Sequence, residues 1–341
     1  MILTFIDILN QIYIYWKREL GMMPIEINKG INNLCFLNKL TIKKTIFVYM
    51  RPVGKLIIIG GGIDTGSFTE SDFTGKIDNN LNFFERGILK RIIDESDKGT
   101  DSRIEVVPTA SRIPDVVGPE YSKAFHFLGA DNVGVLEIES REDCQNKAII
   151  DRVKTADVIF FTGGDQLRLT SIIGGTPIHD LILNKYHNEP FLYVGTSAGA
   201  ACASRNMIYQ GSSKEALLKG EVKITGGLGL MSDVAIDTHF VKRGRIGRLF
   251  QAVVSNPKII GLGLGEDTGL LISSGDEMEA LGSGLVILVD GRSIKDTNIT
   301  DISIGEPISI ENLIVHVMSM GDSYVLSSNT FKIRKKENEL S

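Results

Sequence analysis

The sequence predicts an α/β protein: a doubly wound, mostly parallel sheet sandwiched between helices and finished by C-terminal β-hairpins. Three observations lead there. From Lys55 onward, short β-branched runs recur at "KLIIIGGG", "RIEVVPTAS", "NVGVLEIES", "DVIFFTGGD" and "PFLYVGTS". Between them lie stretches with helical spacing, among them "NFFERGILKRIIDES" and "EYSKAFHFLGA". Continuous apolar strands alternating with amphipathic helices indicate a parallel sheet covered on both faces, since each strand is then buried on both sides. After about Ile259 the pattern changes to short strands joined by Gly, Asp and Asn turns, "IIGLGLGEDTGLLISSG", "GLVILVDG" and "SYVLSSNTFKI", which read as hairpins finishing or flanking the sheet. Functional residues of such a fold belong at the carboxyl ends of its parallel strands.

The first 49 residues stand apart from this pattern. They are rich in Ile, Asn and Lys and lack a clean period, whereas Met50 immediately precedes the first core strand. Residues 1–49 therefore read as an appendage of unknown role or an over-extended reading frame, residues 50–330 as one α/β domain, and residues 331–341 as a polar, solvated tail. Asp7, Asn10 and Gln11 interrupt the opening apolar run and no basic segment precedes it, which argues against a signal peptide or a membrane span. The chain has 341 residues, 43% of them hydrophobic and 23% charged, close to globular averages and sufficient for a large core. A net charge of −5 with dispersed Lys and Arg excludes a general nucleic-acid binder, which needs a basic footprint. Three cysteines, Cys35, Cys144 and Cys202, at wide and irregular spacing offer neither a disulfide framework nor a metal knuckle. The expectation is a cytoplasmic protein without metal or cofactor.

Along the domain, the first strand runs into "IIIGGGIDTGS". Gly60, Gly62 and Gly66 miss the dinucleotide fingerprint by one residue, and Ser67 stands where a phosphate loop would carry Lys. This loop reads as a tight turn at the sheet's edge that can still line a site. The fourth strand ends in Gly163, Gly164, Asp165 and Gln166. Two glycines there can present unhindered amides to an oxyanion; equally, they can form an ordinary strand-to-helix turn capped by Asp165.

The fifth strand, "PFLYV", leads into Gly195-Thr196-Ser197-Ala198-Gly199, a G-x-S-x-G pattern in which a sharp strand-to-helix turn lifts a serine hydroxyl above the sheet. The small residues that follow can begin a helix whose N-terminal amides aim at the same place, with Ala198 as an oxyanion donor. Serine needs a base to take its proton. Of five histidines, His126, His179, His187 and His316 read as structural or solvated, while His239 ends the strand-like run "SDVAIDTHF" ahead of Arg243, Arg245 and Arg248. Serine before histidine is the chain order of α/β hydrolases. The base also needs an orienting carboxylate, and spacing does not choose among Glu215, Asp237, Asp165 and Glu266. Asp237 and His239 are expected to share one strand face.

The set "GGDQ", "GTSAGA" and "DTHFVKRGRIGRL", in that order, with "GLGEDTGLL" at 263–271, closely resembles the cyanophycinases, in the serine peptidase family that also contains aspartyl dipeptidases. The likeness spans roughly residues 54–290. It implies a class I glutamine amidotransferase-like sandwich, with Ser197 as nucleophile, His239 as base and Glu215, in "GSSKEALLKG", as the third triad member. It further implies that Gln166, Asp237, Arg243, Arg245 and Arg248 bind substrate. Thr238 departs from the pattern, because cyanophycinases often carry glutamine there. The implied reaction is hydrolysis of cyanophycin, a polyaspartate bearing arginine on each side chain, to β-Asp-Arg dipeptides by a homodimer. Arginines of the pocket would grip substrate carboxylates in bidentate fashion, and acidic residues such as Asp165 and Asp237 would receive the substrate's guanidinium. An aspartyl dipeptidase should lack the clustered arginines, an amidotransferase would carry cysteine at position 197, and a non-catalytic binding protein would have lost the serine or the histidine.

Overall fold

A computed structural model describes residues 51–66 and 82–335. The expected extension over residues 1–49 lies outside them, as do residues 336–341 of the tail.

The chain opens with β1 (Lys55–Ile59), passes a helical turn at Asn82–Arg86, and continues through α1 (Ile88–Glu95), β2 (Ile104–Val107), α2 (Pro114–Phe127), β3 (Val133–Val135) and α3 (Lys147–Thr155). Next come β4 (Val158–Phe161), α4 (Gln166–Ile173), α5 (Pro177–Asn188), β5 (Leu192–Thr196) and the short α6 (Ala198–Ala203). Helices α3 and α5 start where the sequence supplies caps: Asn146 accepts from the Ala148 amide ahead of α3, and Thr176 from the His179 amide ahead of α5, whose first residue is a proline. Helix α1 buries Ile88, Leu89, Ile92 and Ile93 along one stripe, which is why the helical spacing was visible in its sequence.

Strand alternation builds the core on both sheet faces. Leu56 and Ile58 join Phe161 and Tyr193 on one side, while Ile57 and Ile59 join Phe160, Leu192 and Val194 on the other. With both faces covered, the apolar side chains on either side of these strands leave water, each contributing about 1.5–3 kcal/mol. Strands β1, β5, β4, β2 and β3 lie side by side in that order, all parallel. The stretch "NVGVLEIES" supplies only three paired residues, because β3 is the edge strand.

Beyond α6 follow β6 (Asn206–Gln210), β7 (Lys223–Gly226), β8 (Val234–Asp237), α7 (Ile246–Ser255), β9 (Ile260–Leu264), β10 (Thr268–Ser273), β11 (Glu277–Gly282) and β12 (Val286–Asp290). The remaining strands are β13 (Asp296–Thr297), β14 (Ile310–Glu311), β15 (Ile314–Met318), β16 (Ser323–Val325) and β17 (Thr330–Lys332). The expected hairpins β10–β11 and β16–β17 are present, and they extend the main sheet antiparallel from the other side of β1, giving nine strands. A second sheet in the order β15-β12-β9-β8 is a feature the sequence pattern did not indicate; in it β8 and β9 are parallel, with Asp237 opposite Gly263. The ordered domain also passes position 330: Phe331 and Lys332 pair with Tyr324 and Ser323, and the Phe331 ring stacks on His316 at 5.3 Å. The apolar ring draws the start of the expected tail into the sheet.

Candidate active site

The site forms where β1, β4 and β5 end, joined by the ends of β8 and β9 from the second sheet. At the end of β5 the chain reverses into α6 within one residue. Ser197 takes φ 51° and ψ −105°, a conformation costing on the order of 1–3 kcal/mol and held only by surrounding contacts. Those contacts explain both glycines of the pentapeptide. A Cβ on Gly195 would stand 2.4 Å from the Gly199 carbonyl carbon, and one on Gly199 would stand 2.5 Å from the Phe161 carbonyl oxygen. The buried Tyr193 hydroxyl donates to that Gly199 carbonyl at 2.8 Å, and the Ser197 amide donates to the Ile59 carbonyl at 2.9 Å. The serine is thus fixed from strand, helix and neighbouring loop together.

Its hydroxyl lies 3.0 Å from Nε2 of His239. The histidine does not continue β8, which stops at Asp237; it sits two residues further on, at φ 50°. This turn separates the side chains of Asp237 and His239, so the expectation of a shared strand face fails. On the far side of the ring, Nδ1 meets Oε1 of Glu266 at 2.8 Å, and the carboxylate's other oxygen meets Nζ of Lys242 at 2.7 Å. The carboxylate bonded to the imidazole is therefore Glu266 and not Glu215, the residue the resemblance implied. Glu215 lies exposed in the turn after β6, where its amide donates to Ser212 Oγ, and no bond joins it to His239. The reason is register: with Asp237 opposite Gly263 in parallel strands, the residues just past each strand end, His239 and Glu266, fall beside one another.

Burial lowers the His239 pKa below its ordinary value; the Glu266 hydrogen bond pulls the other way, and the Arg243 and Arg245 guanidiniums reinforce the decrease. Lys242 and then His239 hold the Glu266 carboxyl below the usual carboxylate range. Both shifts favour a neutral imidazole beside an ionised carboxylate, with the carboxylate on Nδ1 and a hydroxyl on Nε2. That arrangement can accept the serine proton and return it to a leaving group.

The loop after β1, read from sequence only as a tight turn, packs directly against this machinery. A Cβ on Gly61 would lie 2.4 Å from Cε1 and 2.6 Å from Nε2 of His239, at φ +100°, and one on Gly62 would lie 3.1 Å from Glu266 Cβ. Gly163 is also adjacent, its virtual Cβ 3.3 Å from Ser197 Cβ. Ala198 opens α6, where first-turn amides have no intrahelical acceptor.

The residues expected to bind substrate divide into groups. Asp165 caps α4, its side chain accepting from the Leu167 and Arg168 amides at 2.8 and 3.1 Å, so the capped-turn alternative holds for that residue. Gln166 reaches across to the Ile208 and Tyr209 carbonyls. Asp237 is buried and holds two arginines: Arg245 Nη1 at 3.1 Å, and Arg248 Nε at 3.0 Å in an ion pair out of line for a hydrogen bond. Burial raises the Asp237 carboxyl above its ordinary value, against the pull of the Arg248 and Arg245 guanidiniums. Arg245 also donates to the Thr238 carbonyl, and Thr238 is buried beneath it. Arg243 alone of the three arginines is exposed, its guanidinium without a hydrogen bond or ion pair among the described residues. Among the other histidines, His179 holds the Leu228 carbonyl and His126 the Ser122 carbonyl, both structural contacts.

Residues 80–280 match the model of peptidase family S51. A cyanophycinase of Trichormus variabilis is 36% identical over 227 residues, covering 67% of this chain and 76% of that protein. One from Synechococcus elongatus is 36% identical over 231 residues, covering 68% and 72%. The crystal structure of a peptidase from an acI-B1 actinobacterium superposes with a TM-score of 0.55 at 21% identity, over 81% of this chain and 98% of that one, a likeness of fold.

Proposed function

The chain belongs to peptidase family S51 and is a serine-type peptidase, and we propose on that premise that it hydrolyses cyanophycin to β-Asp-Arg dipeptides through an acyl-enzyme. One observation carries the reading: Ser197 Oγ, the two nitrogens of His239 and Glu266 Oε1 form a continuous line with contacts of 3.0 and 2.8 Å. In the proposed first step, Ser197 Oγ attacks a backbone carbonyl of the substrate while His239 Nε2 takes the hydroxyl proton. The amides of Ala198, Gly163 and Gly164 receive the charge that develops on the carbonyl oxygen. His239 then protonates the leaving amine as the carbon–nitrogen bond breaks. Water, deprotonated by the same imidazole, releases the acyl group and restores the serine.

Substrate recognition follows from which charges are spoken for. Each repeat of the polymer carries one free carboxylate, that of its arginine, and the exposed guanidinium of Arg243 is free to take it. Arg245 and Arg248 are drawn together by Asp237, and Arg245 also holds the Thr238 carbonyl; replacing a buried partner of such a cluster leaves a charge unpaired. A homodimer and a cytoplasmic location belong to the same reading, to which the absence of any membrane-crossing helix among the described residues raises no objection.

The test is incubation with purified cyanophycin beside β-aspartyl and α-aspartyl dipeptides, with products identified by mass. Release of β-Asp-Arg from the polymer is the expected result, and cleavage of dipeptides alone would overturn the polymer assignment in favour of an aspartyl dipeptidase. Ser197→Ala should lower the rate roughly 10⁴-fold or more with the fold intact; near-wild-type activity would remove the serine mechanism.

A further inference from the structure

We propose that Lys242 is a positioning residue for this reaction: its ammonium clamps the outer oxygen of Glu266 so that the inner oxygen stays on His239. The inference rests on the triad reading above and adds to it a fourth side chain that acts through the carboxylate. The two contacts are 2.7 Å from Lys242 Nζ to Oε2 and 2.8 Å from His239 Nδ1 to Oε1, so each carboxylate oxygen has its own cation or donor. His239 and Lys242 are three residues apart in one tight turn, closed by the Arg243 amide on the His239 carbonyl at 3.0 Å and the Arg245 amide on the Phe240 carbonyl at 3.0 Å. A single rigid turn therefore grips both ends of the carboxylate.

The grip matters because Glu266 is otherwise loosely placed for its task. It projects from the loop after β9 with 29% of its side chain exposed, and the backbone at Gly62 supports its stem from one side. A carboxylate held only by the imidazole can rotate about its last bond and exchange that hydrogen bond for water. An opposed second partner removes that freedom, in the way outer partners orient the groups that contact a reacting centre. Lys242 is itself 70% exposed, so its ion pair adds little to folding, and its consequence falls on the geometry of the base. The charged groups facing this assembly are the guanidiniums of Arg243 and Arg245 beside the imidazole, together with Lys242 and His239 on Glu266.

The experiment measures the second-order rate of covalent labelling of Ser197 by a fluorophosphonate, which reports any base-activated serine without a defined substrate. It compares wild type, Ser197→Ala, Lys242→Met, Lys242→Arg, Glu266→Gln and the double variant Glu266→Gln/Lys242→Met, with a melting curve for each. Lys242→Met should label about fivefold more slowly, the upper end for an exposed pair, at an unchanged melting temperature, and Lys242→Arg should recover most of the rate. In the Glu266→Gln background the lysine change should add nothing, since the two act as one unit. Labelling of Lys242→Met at the wild-type rate, or an equal slowing in both backgrounds, would overturn the clamp while leaving the triad reading intact. An unlabelled wild type, or labelling that survives Ser197→Ala, would remove the serine reading and the clamp with it.

Discussion

Glu266→Gln tests the assignment on which the site depends most. For Nε2 of His239 to accept the Ser197 proton, the ring must carry its own proton on Nδ1, and an ionised carboxylate 2.8 Å from Nδ1 selects that tautomer because it can only accept. A glutamine amide in its place can turn an N–H toward Nδ1, favouring the opposite tautomer, in which Nε2 is a donor and no base. Where the third triad member is a buried aspartate, such a swap lowers turnover about 10⁴-fold. Glu266 keeps 29% of its side chain in water, so solvent takes over part of its orienting role, and a loss of roughly 10²- to 10⁴-fold follows. The assay is kcat and KM on cyanophycin at neutral pH, with circular dichroism to confirm the fold. The loss should fall on kcat, because the carboxylate orients the base and does not contact the substrate. Glu215→Gln, an exposed change away from the imidazole, should stay within about twofold of wild type. The reasoning is refuted if Glu266→Gln keeps more than a tenth of the activity, or if Glu215→Gln loses as much as Glu266→Gln does.

Three further predictions use the surroundings of the histidine. Gly61→Ala places a methyl 2.4 Å from the imidazole at φ +100°, so activity should fall at least about 100-fold and stability by about 1–2 kcal/mol; a normal turnover number with an unshifted melting curve would contradict the packing described. The acid limb of kcat/KM should lie below 6.5, since a base whose pKa is lowered by burial stays neutral into mildly acidic solution and is lost only when protonated. Arg243→Met removes a positive charge that disfavours the imidazolium, so the limb should move to higher pH; a shift the other way, or none, would show that Arg243 does not act on the ring.

The parallel half of the fold was legible because burial on both faces writes itself into the strands as unbroken Ile, Val and Phe runs, and the elbow because a turn this tight leaves no room for a side chain two residues before or two residues after the serine. His239 was legible for a weaker reason, its place after a strand and before an arginine cluster. Glu266 was in view as one of four carboxylates, and "GLGEDTGLL" was recognised, yet the resemblance pointed to Glu215. What would have decided between them is the pairing of β8 with β9, a parallel contact within a second sheet. Sequence periodicity shows that a strand exists and which faces it buries; it does not reveal its neighbour. The same limit hid the Gly60–Gly62 loop, whose three glycines look alike as a turn until the imidazole and the carboxylate are seen packed against them.

That loop also explains how three residues separated by dozens of positions meet to within a hydrogen bond. Three successive carbonyls, of Ile59, Gly60 and Gly61, accept the amides of Ser197, His239 and Asp267 at 2.9, 2.8 and 2.8 Å. Each donor residue has positive φ, at 51°, 50° and 45°, so each marks a point where its chain turns sharply at the rim. Such conformations are unfavourable in isolation and persist where the surroundings determine them. A backbone hydrogen bond at each turn does so, and because the acceptors are consecutive peptide units at the end of a buried central strand, their spacing is set by covalent geometry. Ser197, His239 and the loop that carries Glu266 are thereby referenced to one rigid ruler. A shift of that loop would move all three together, whereas a side chain on Gly61 would move the imidazole alone, which is why the glycine change is expected to cost far more in turnover than in stability.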